Sequence, residues 1–167
     1  MTKYIIDANI LIQAYRKYYT MDVFISFWDK IKAFAEANVI LSIDKVKAEI
    51  IPSGDNLSLW CANVLPQGFF IDSAPFIQEY STIIRHITGL NRYTANALHE
   101  FADANIADAF LIASALSLGV VDEYALVTEE VSDPTRIKRV KIPDVCPHFN
   151  VRCINTIEML QELKTTI

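Results

Sequence analysis

Tyr4-Ile5-Ile6-Asp7 is the stretch that decides the fold, because it is a short, continuous apolar run that stops at a single carboxylate. Such a run is typical of a strand that is buried on both faces. Similar apolar runs recur at residues 39–43 and 124–128, and the sequence between them has helical spacing. Strands that alternate with helices predict an α/β fold, a three-layer α/β/α sandwich with a central, mainly parallel sheet.

Further elements follow from apolar spacing and from capping residues. Shorter strands are predicted at residues 69–71, 139–142 and 151–154. Helices are predicted from residue 22 to about 35 and at residues 44–50, 55–64, 73–87, 92–101 and 105–119. Asn155 and Glu158 have the spacing of a capping box, which predicts a terminal helix.

Length and composition limit the class of protein. The 167 residues, 18.9 kDa and 52% hydrophobic content fit a single domain, residues 1–167, with a substantial core. With 15 basic and 20 acidic residues the net charge is −5, so any nucleic acid must be bound through a local basic patch. The apolar run at residues 109–121 is shorter than the roughly 20 residues that cross a bilayer, which predicts no membrane association. Three cysteines without a CxxC motif indicate reduced thiols and a cytoplasmic protein.

Polar residues at the ends of the predicted strands are the candidates for a functional site, because sites in open parallel sheets form beyond the carboxyl ends of strands. Two further acids lie on helices next to those strands. The candidates are Asp7, Asn9, Glu49, Asp108, Thr128, Glu129 and Glu130.

The acids are concentrated in one part of the chain. No Lys or Arg occurs between Arg92 and Arg136, whereas eight Asp and Glu residues do. Carboxylates that are brought together repel one another, so one of them takes up a proton or a cation binds among them. Hard cations such as Mg²⁺ or Mn²⁺ prefer carboxylate and water oxygens. The pattern therefore indicates a divalent-metal site that acts on phosphodiesters.

Each candidate also has a structural interpretation. Asp7 could satisfy backbone amides of the turn that follows its strand, and Asn9 could cap the next helix. Glu49 could pair with Lys45, four residues earlier on the same helix. Asp108 could be the acid in the first turn of a helix that begins at residue 105. Glu129 and Glu130 must point in opposite directions if the chain there is extended, so we expect at most one of them in the site.

The same residues resemble the motifs of the PIN-domain family of metal-dependent nucleases. The opening Ile5-Ile6-Asp7-Ala8-Asn9-Ile10-Leu11-Ile12 is similar to the first motif of that family. Glu49 matches its second acid, Asp108 with the aliphatic helix that follows matches the third motif, and Leu126-Val127-Thr128-Glu129-Glu130 resembles the last, with Glu130 in the acidic position. Ala8 and Glu130 depart from the family, which more often has Ser or Thr and Asp there. The motifs span residues 4 to about 160 in the family order.

The resemblance implies a PIN-like, divalent-metal endoribonuclease that is the toxin of a bacterial toxin–antitoxin pair. Asp7, Glu49 and Asp108 would hold Mg²⁺ or Mn²⁺ directly or through water, and Glu130 would complete the site. Asn9 and Thr128 would hydrogen-bond to those ligands. RNA, an antitoxin protein and a second copy of the chain are the implied partners.

A basic segment follows the acidic stretch. Arg136, Lys138, Arg139 and Lys141 place four basic residues within six positions, which predicts contact with the RNA backbone. The alternative is an edge strand that is protected by charge. Arg16, Lys17, Tyr18 and Tyr19 could contribute charge and stacking for a single strand, or pack as core or partner surface.

Two other functions remain open on the sequence. A catalytically silent interaction domain would use its acids only to bind a basic partner. A phosphatase with an aspartyl nucleophile would need a second Asp as acid and base, where this sequence has Asn9.

Overall fold

Five strands form one all-parallel sheet in a computed structural model that describes residues 1–165. The last two residues of the predicted domain 1–167 lie outside that range. The strands follow the predicted apolar runs closely, and their bounds are β1 Lys3–Ile6, β2 Ile40–Ile43, β3 Phe70–Ile71, β4 Tyr124–Val127 and β5 Arg152–Ile154.

Helices occupy the intervals between strands and end the described chain. They are α1 Ala8–Gln13, α2 Ile25–Glu36, α3 Asp44–Ile50, α4 Asn56–Asn63, α5 Ile77–Gly89, α6 Ala95–Phe101, α7 Ala107–Leu118, α8 Ile142–Val145 and α9 Thr156–Glu162. Helix α9 begins with the predicted capping box. The Glu158 backbone nitrogen donates a hydrogen bond to the Asn155 side chain, and the Asn155 backbone nitrogen donates one to the Glu158 carboxylate. A π-helical turn, Ala14–Tyr18, directly follows α1.

The strand order is β3-β2-β1-β4-β5, so the chain winds outward from β1 in both directions. Tyr4 pairs with Ile40 of β2 on one side and with Ala125 of β4 on the other. Because parallel crossovers are right-handed, winding in opposite directions puts helices on both faces of the sheet, which gives the three predicted layers. The winding reverses between β1 and β4, and in doubly wound sheets ligands bind at such a switch point.

The core lies between the sheet and the helices. Ile5 and Ile6 of β1 and Leu126 and Val127 of β4 are completely buried. Helix α7 is buried along nearly its whole length, which explains why it is apolar on every side rather than amphipathic.

The strand predicted at residues 139–142 is wrong. Residues 139–141 form a loop, and Ile142 begins α8. The alternation of charged and apolar residues is real, since Val140 and Ile142 are buried while Arg139 is exposed. Alternating burial of this kind arises in an extended loop as well as in a strand. Because no strand forms here, the interpretation of the basic segment as an edge strand is also wrong.

The start predicted for the central helix is also wrong. Helix α7 begins at Ala107 rather than at Asn105. The Asp103 carboxylate accepts hydrogen bonds from both the backbone and the side-chain nitrogens of Asn105, which holds the chain in a turn before the helix. Its predicted end at Gly119 is confirmed, because α7 ends at Leu118 with Gly119 as its C-cap.

Candidate active site

Asp7 lies at the switch point of the sheet. It directly follows β1, and its backbone nitrogen donates to the Val127 carbonyl of β4 at 3.0 Å. The residue is only 5% exposed. Although Asp7 precedes α1, its side chain accepts no capping hydrogen bond from that helix. Its carboxylate is therefore aimed elsewhere than at the turn amides.

Asn9 and Thr128 form a hydrogen-bonded chain that ends on Asp7. The Thr128 hydroxyl donates to Oδ2 of Asp7 at 2.8 Å and accepts from Nδ2 of Asn9 at 3.1 Å. It also accepts from the Glu130 backbone nitrogen at 3.2 Å, so its one donor and two acceptor sites are all used. Asn9 lies within α1 rather than capping it, and its Oδ1 accepts from the Glu129 nitrogen at 3.0 Å. The chain fixes one orientation of the Asp7 carboxylate.

Asp108 and Glu49 approach Asp7 from two helices. Asp108 is half-buried in the first turn of α7, and Glu49 lies at an exposed position of α3. The sequence alternative for Glu49 does not occur, because Lys45 lies 4.0 Å from Oδ2 of Asp44 and its ammonium lies over the ring of Phe110.

Burial and mutual repulsion raise the pKa values of these acids. Burial raises the pKa of Asp7 to about 7, Asp108, Glu49 and Glu130 add to the rise, and the Thr128 hydrogen bond opposes it. Burial also raises the pKa of Asp108 to about 6, with a contribution from Glu130. Although the Glu49 residue is exposed as a whole, partial burial of its carboxyl group raises its pKa. The acids therefore form one electrostatic group, which we call the acidic pocket: Asp7, Glu49, Asp108 and Glu130.

Glu130 is the acid that is held most firmly by neighbouring groups. Its Oε2 accepts from the Ile142 backbone nitrogen at 2.9 Å, and its Oε1 lies 3.0 Å from Nη2 of Arg139. Arg139 also opposes the rise in the pKa of Asp108 and of Glu49. A guanidinium of the chain itself thus serves as the counter-ion of the acidic pocket.

Glu129 points away from the acidic pocket, in agreement with the expected alternation. Its Oε1 accepts hydrogen bonds from the backbone nitrogen and the hydroxyl of Thr156, at the start of α9. The extended chain after β4 therefore presents Glu130 to one side and Glu129 to the other.

The sequence did not single out Glu100 as part of the site. Glu100 lines a small cavity with Asp108 and Arg139, and it adds to the rise in the pKa of Asp108. It belongs to the acidic stretch between Arg92 and Arg136, but nothing in its spacing separated it from acids that face solvent.

The four residues of the basic segment do not act together. Arg139 pairs with Glu130, and the Lys141 ammonium donates to the Val131 carbonyl at 2.6 Å. Arg136 and Lys138 are exposed. The loop is anchored at Asp144, which accepts from the Ser132 hydroxyl at 2.5 Å and from the Asp133 nitrogen. Only Arg136 and Lys138 therefore project freely from an anchored loop.

The oxygen donors of the acidic pocket suit a hard divalent cation, but the carboxylates are widely separated. Within residues 1–165, no group of three or more His, Cys, Asp or Glu side chains is close enough to hold a metal ion. Mg²⁺ commonly keeps several waters and uses only one or two carboxylates as direct ligands. The pocket is thus compatible with a hydrated Mg²⁺ or Mn²⁺.

Comparison with known proteins agrees with this architecture. The crystal structure of VapBC2 from Rickettsia felis bound to a fragment of promoter DNA is similar to this protein. The match covers 93% of this chain and 98% of that chain, with a TM-score of 0.51 and 18% sequence identity. The fold is accordingly the PIN-like α/β fold. The chain belongs to the family described as domain of unknown function DUF4411, whose model matches residues 4–167. No curated protein matches the chain. In residues 1–165, no helix has the length and apolar character needed to cross a membrane.

Proposed function

We propose that this protein is a divalent-metal-dependent endoribonuclease and the toxin of a toxin–antitoxin pair. The observation that carries the proposal is that Asp7, at the switch point of a PIN-like sheet, lies within electrostatic range of Glu49, Asp108 and Glu130. Burying carboxylates beside one another is costly unless a cation compensates them. The resemblance of the motifs to PIN-domain nucleases supports the same reaction.

The residues of the acidic pocket would have separate roles. Asp7, Glu49 and Asp108 would hold Mg²⁺ or Mn²⁺ directly or through water, and Glu130 would complete the site. When bound, the cation would activate water and neutralise charge on the phosphodiester. The Asn9–Thr128 chain would keep Asp7 in one orientation, because a fixed hydrogen-bond partner orients a ligating group.

Arg139 would change partner during the reaction. Without a cation its guanidinium neutralises Glu130, and a bound cation would take over that task. The guanidinium would then be free to contact a phosphate oxygen of the RNA next to the acidic pocket, a contact that its planar fork favours. Arg136 and Lys138 would contact the RNA backbone farther along the strand.

A cleavage assay separates this proposal from the two alternatives. The purified chain is incubated with defined single-stranded RNAs that carry a 5′-terminal phosphate, in Mg²⁺, Mn²⁺ or EDTA. A nuclease cuts internal bonds only when the cation is present. A silent interaction domain cuts none, and an aspartyl phosphatase releases inorganic phosphate from phosphomonoesters without internal cuts.

The basic loop should contribute to RNA affinity through charge alone. Replacing both Arg136 and Lys138 with Ala removes two phosphate contacts, so the logarithmic salt dependence of single-strand binding should become shallower by about 0.7 per contact. We expect no change in sequence preference, because phosphate contacts carry no base information. Binding titrations from low to high salt measure the slope.

The matched control for that loop is the Lys30→Ala, Lys32→Ala protein, which loses the same charge from α2. Its salt slope should equal that of the wild type. Equal slopes for both double variants would contradict a role of the loop in RNA binding.

A basic antitoxin segment would fit the acidic pocket. The distance of 3.0 Å between Arg139 and Glu130 shows that a guanidinium can lie against these carboxylates. A partner arginine could make the same contact with Asp108 or Glu49 and exclude the cation.

Expression of the chain alone in a bacterial host should therefore slow growth, since uncontrolled RNA cleavage is toxic. The Asp108→Asn protein should not slow growth, whereas Asp29→Asn, the same change at an exposed position of α2, should behave as the wild type. Growth curves at matched protein levels measure the effect. If the Asp108→Asn protein arrests growth as strongly as the wild type, the toxicity does not arise from the acidic pocket.

A further inference from the structure

A second cavity opens on the opposite side of the chain segment that follows β4. It has a volume of about 180 Å³ and is lined by residues from α1, the π turn, the segment after β4 and the start of α9. The lining residues that carry the inference are Ile10, Gln13, Tyr18, Tyr19, Glu129 and Ile157. We call it the tyrosine cavity.

The tyrosine cavity adjoins the acidic pocket and its Asn9–Thr128 chain through two pairs of neighbouring residues. Ile10 follows Asn9, and Glu129 precedes Glu130, so one member of each pair lines the cavity and the other belongs to the site. Consecutive Cα atoms lie 3.8 Å apart. The cavity and the acidic pocket therefore lie on either side of one chain segment, and a strand that passes over this segment with one phosphate at the acidic pocket would bring a neighbouring nucleotide to the cavity.

The two tyrosines of the cavity differ in how tightly they are packed. Tyr19 stacks on Phe27 with ring centroids 4.4 Å apart, and its carbonyl accepts from the Trp28 indole nitrogen at 2.7 Å. Tyr18 is 56% exposed, and its aromatic contact among the described residues is a tilted one with Tyr19. The cavity thus has one fixed aromatic wall and one exposed aromatic side chain at its mouth.

The π turn explains how both tyrosines reach the cavity. The Tyr19 nitrogen donates to the Ala14 carbonyl, five residues earlier, at 2.7 Å. A hydrogen bond that spans five residues, instead of the four of an α-helix, shifts the side chains that follow, and such turns occur often at functional sites.

We propose that the tyrosine cavity binds one nucleobase of the RNA, next to the phosphate at the acidic pocket. The proposal rests on the proposed function and names the part of the substrate that this neighbouring surface recognises. Aromatic side chains stack on any base, which accounts for affinity. Arg16 and Lys17, exposed on the same π turn, would contact the adjoining phosphates.

Glu129 would select the base. Its Oε1 is held by Thr156, whereas its Oε2 accepts no hydrogen bond from the described residues. A carboxylate oxygen only accepts, so it favours a base edge with an amino group. Guanine, adenine and cytosine have one, whereas uracil presents two carbonyl oxygens beside a single N–H. The cavity should therefore bind amino-bearing bases better than uracil.

Binding of short RNAs tests the proposal without relying on cleavage. End-labelled hexanucleotides, oligo-uridine with or without one central guanosine, adenosine or cytidine, are titrated into the full chain in EDTA, and anisotropy gives Kd. We expect Tyr18→Ala to weaken binding about tenfold, whereas Tyr18→Phe, which keeps the ring, retains the affinity. Glu129→Gln should bind oligo-uridine with the same affinity as the other RNAs, and Glu79→Gln, in the first turn of α5, should keep the wild-type preference.

The outcomes separate the cavity from the nuclease. RNA binding that depends on Tyr18, in a chain that does not cleave, would support the cavity and contradict the nuclease. Metal-dependent cleavage, together with a Tyr18→Ala affinity equal to that of the wild type, would contradict base binding in the cavity but not the nuclease activity. The cavity would then be a site for an apolar side chain of a partner protein. Absence of RNA binding, or equal affinity for all four RNAs in the wild type, would overturn the assignment. Circular dichroism confirms that each variant is folded.

Discussion

The Asp108→Asn protein is expected to cleave single-stranded RNA at least about a thousandfold more slowly than the wild type, in Mg²⁺ or in Mn²⁺. Asn retains the shape of the side chain but removes the charge that would hold the cation. Asp7→Asn should have the same effect, because both acids belong to one electrostatic group. Initial rates of cleavage of a defined RNA measure the loss.

The matched control for this prediction is Asp29→Asn, the same substitution at an exposed position of α2. It should cleave at the wild-type rate. Asp108 is half-buried and Asp7 is buried, so either substitution could affect folding. The thermal unfolding of each variant is therefore recorded together with its activity. A folded Asp108→Asn protein with the wild-type rate would contradict the assignment of the acidic pocket.

Metal-free Asp7→Asn protein is expected to be more stable than the wild type at about pH 8 and equally stable at about pH 4. Asp7 has a pKa of about 7 in the folded chain against 3.8 for the unperturbed group. The folded state therefore holds its proton over a range in which the unfolded state has lost it, and stability falls as the pH rises through that window. At 1.36 kcal/mol per pH unit the shift corresponds to about 4 kcal/mol. The neutral amide of the variant resembles the protonated acid, so we expect a gain on the order of 3 kcal/mol at the higher pH and little difference at the lower one.

Urea unfolding in EDTA at several pH values measures this free energy. Added Mg²⁺ should stabilise the wild type at the higher pH and have little effect on Asp7→Asn, because a cation compensates charges that the variant lacks. The Asp29→Asn protein should follow the wild type at every pH. A difference in stability between Asp7→Asn and the wild type that does not grow between about pH 4 and pH 8 would show that Asp7 is not held in an unfavourable buried state.

Local sequence determined most of the sheet and one side of the site. Runs such as Tyr4-Ile5-Ile6 are typical of doubly buried strands, and their carboxyl ends marked Asp7 and Thr128. The opposite directions of Glu129 and Glu130 follow from the period of two in an extended chain, and the structure confirms them. The capping box of α9 also required only local residues.

The tertiary structure alone decided which groups meet. The alternation in residues 139–142 reflects the burial of Val140 and Ile142, and it cannot show that the chain forms no ladder there. That Arg139 neutralises Glu130 rather than projecting with Arg136 depends on how the loop is anchored at Asp144. The same holds for the tyrosine cavity, whose walls come from distant parts of the chain. Local apolar patterns fix strands and helices because burial acts on each segment, whereas ion pairs and cavities arise only where segments remote in sequence are packed side by side.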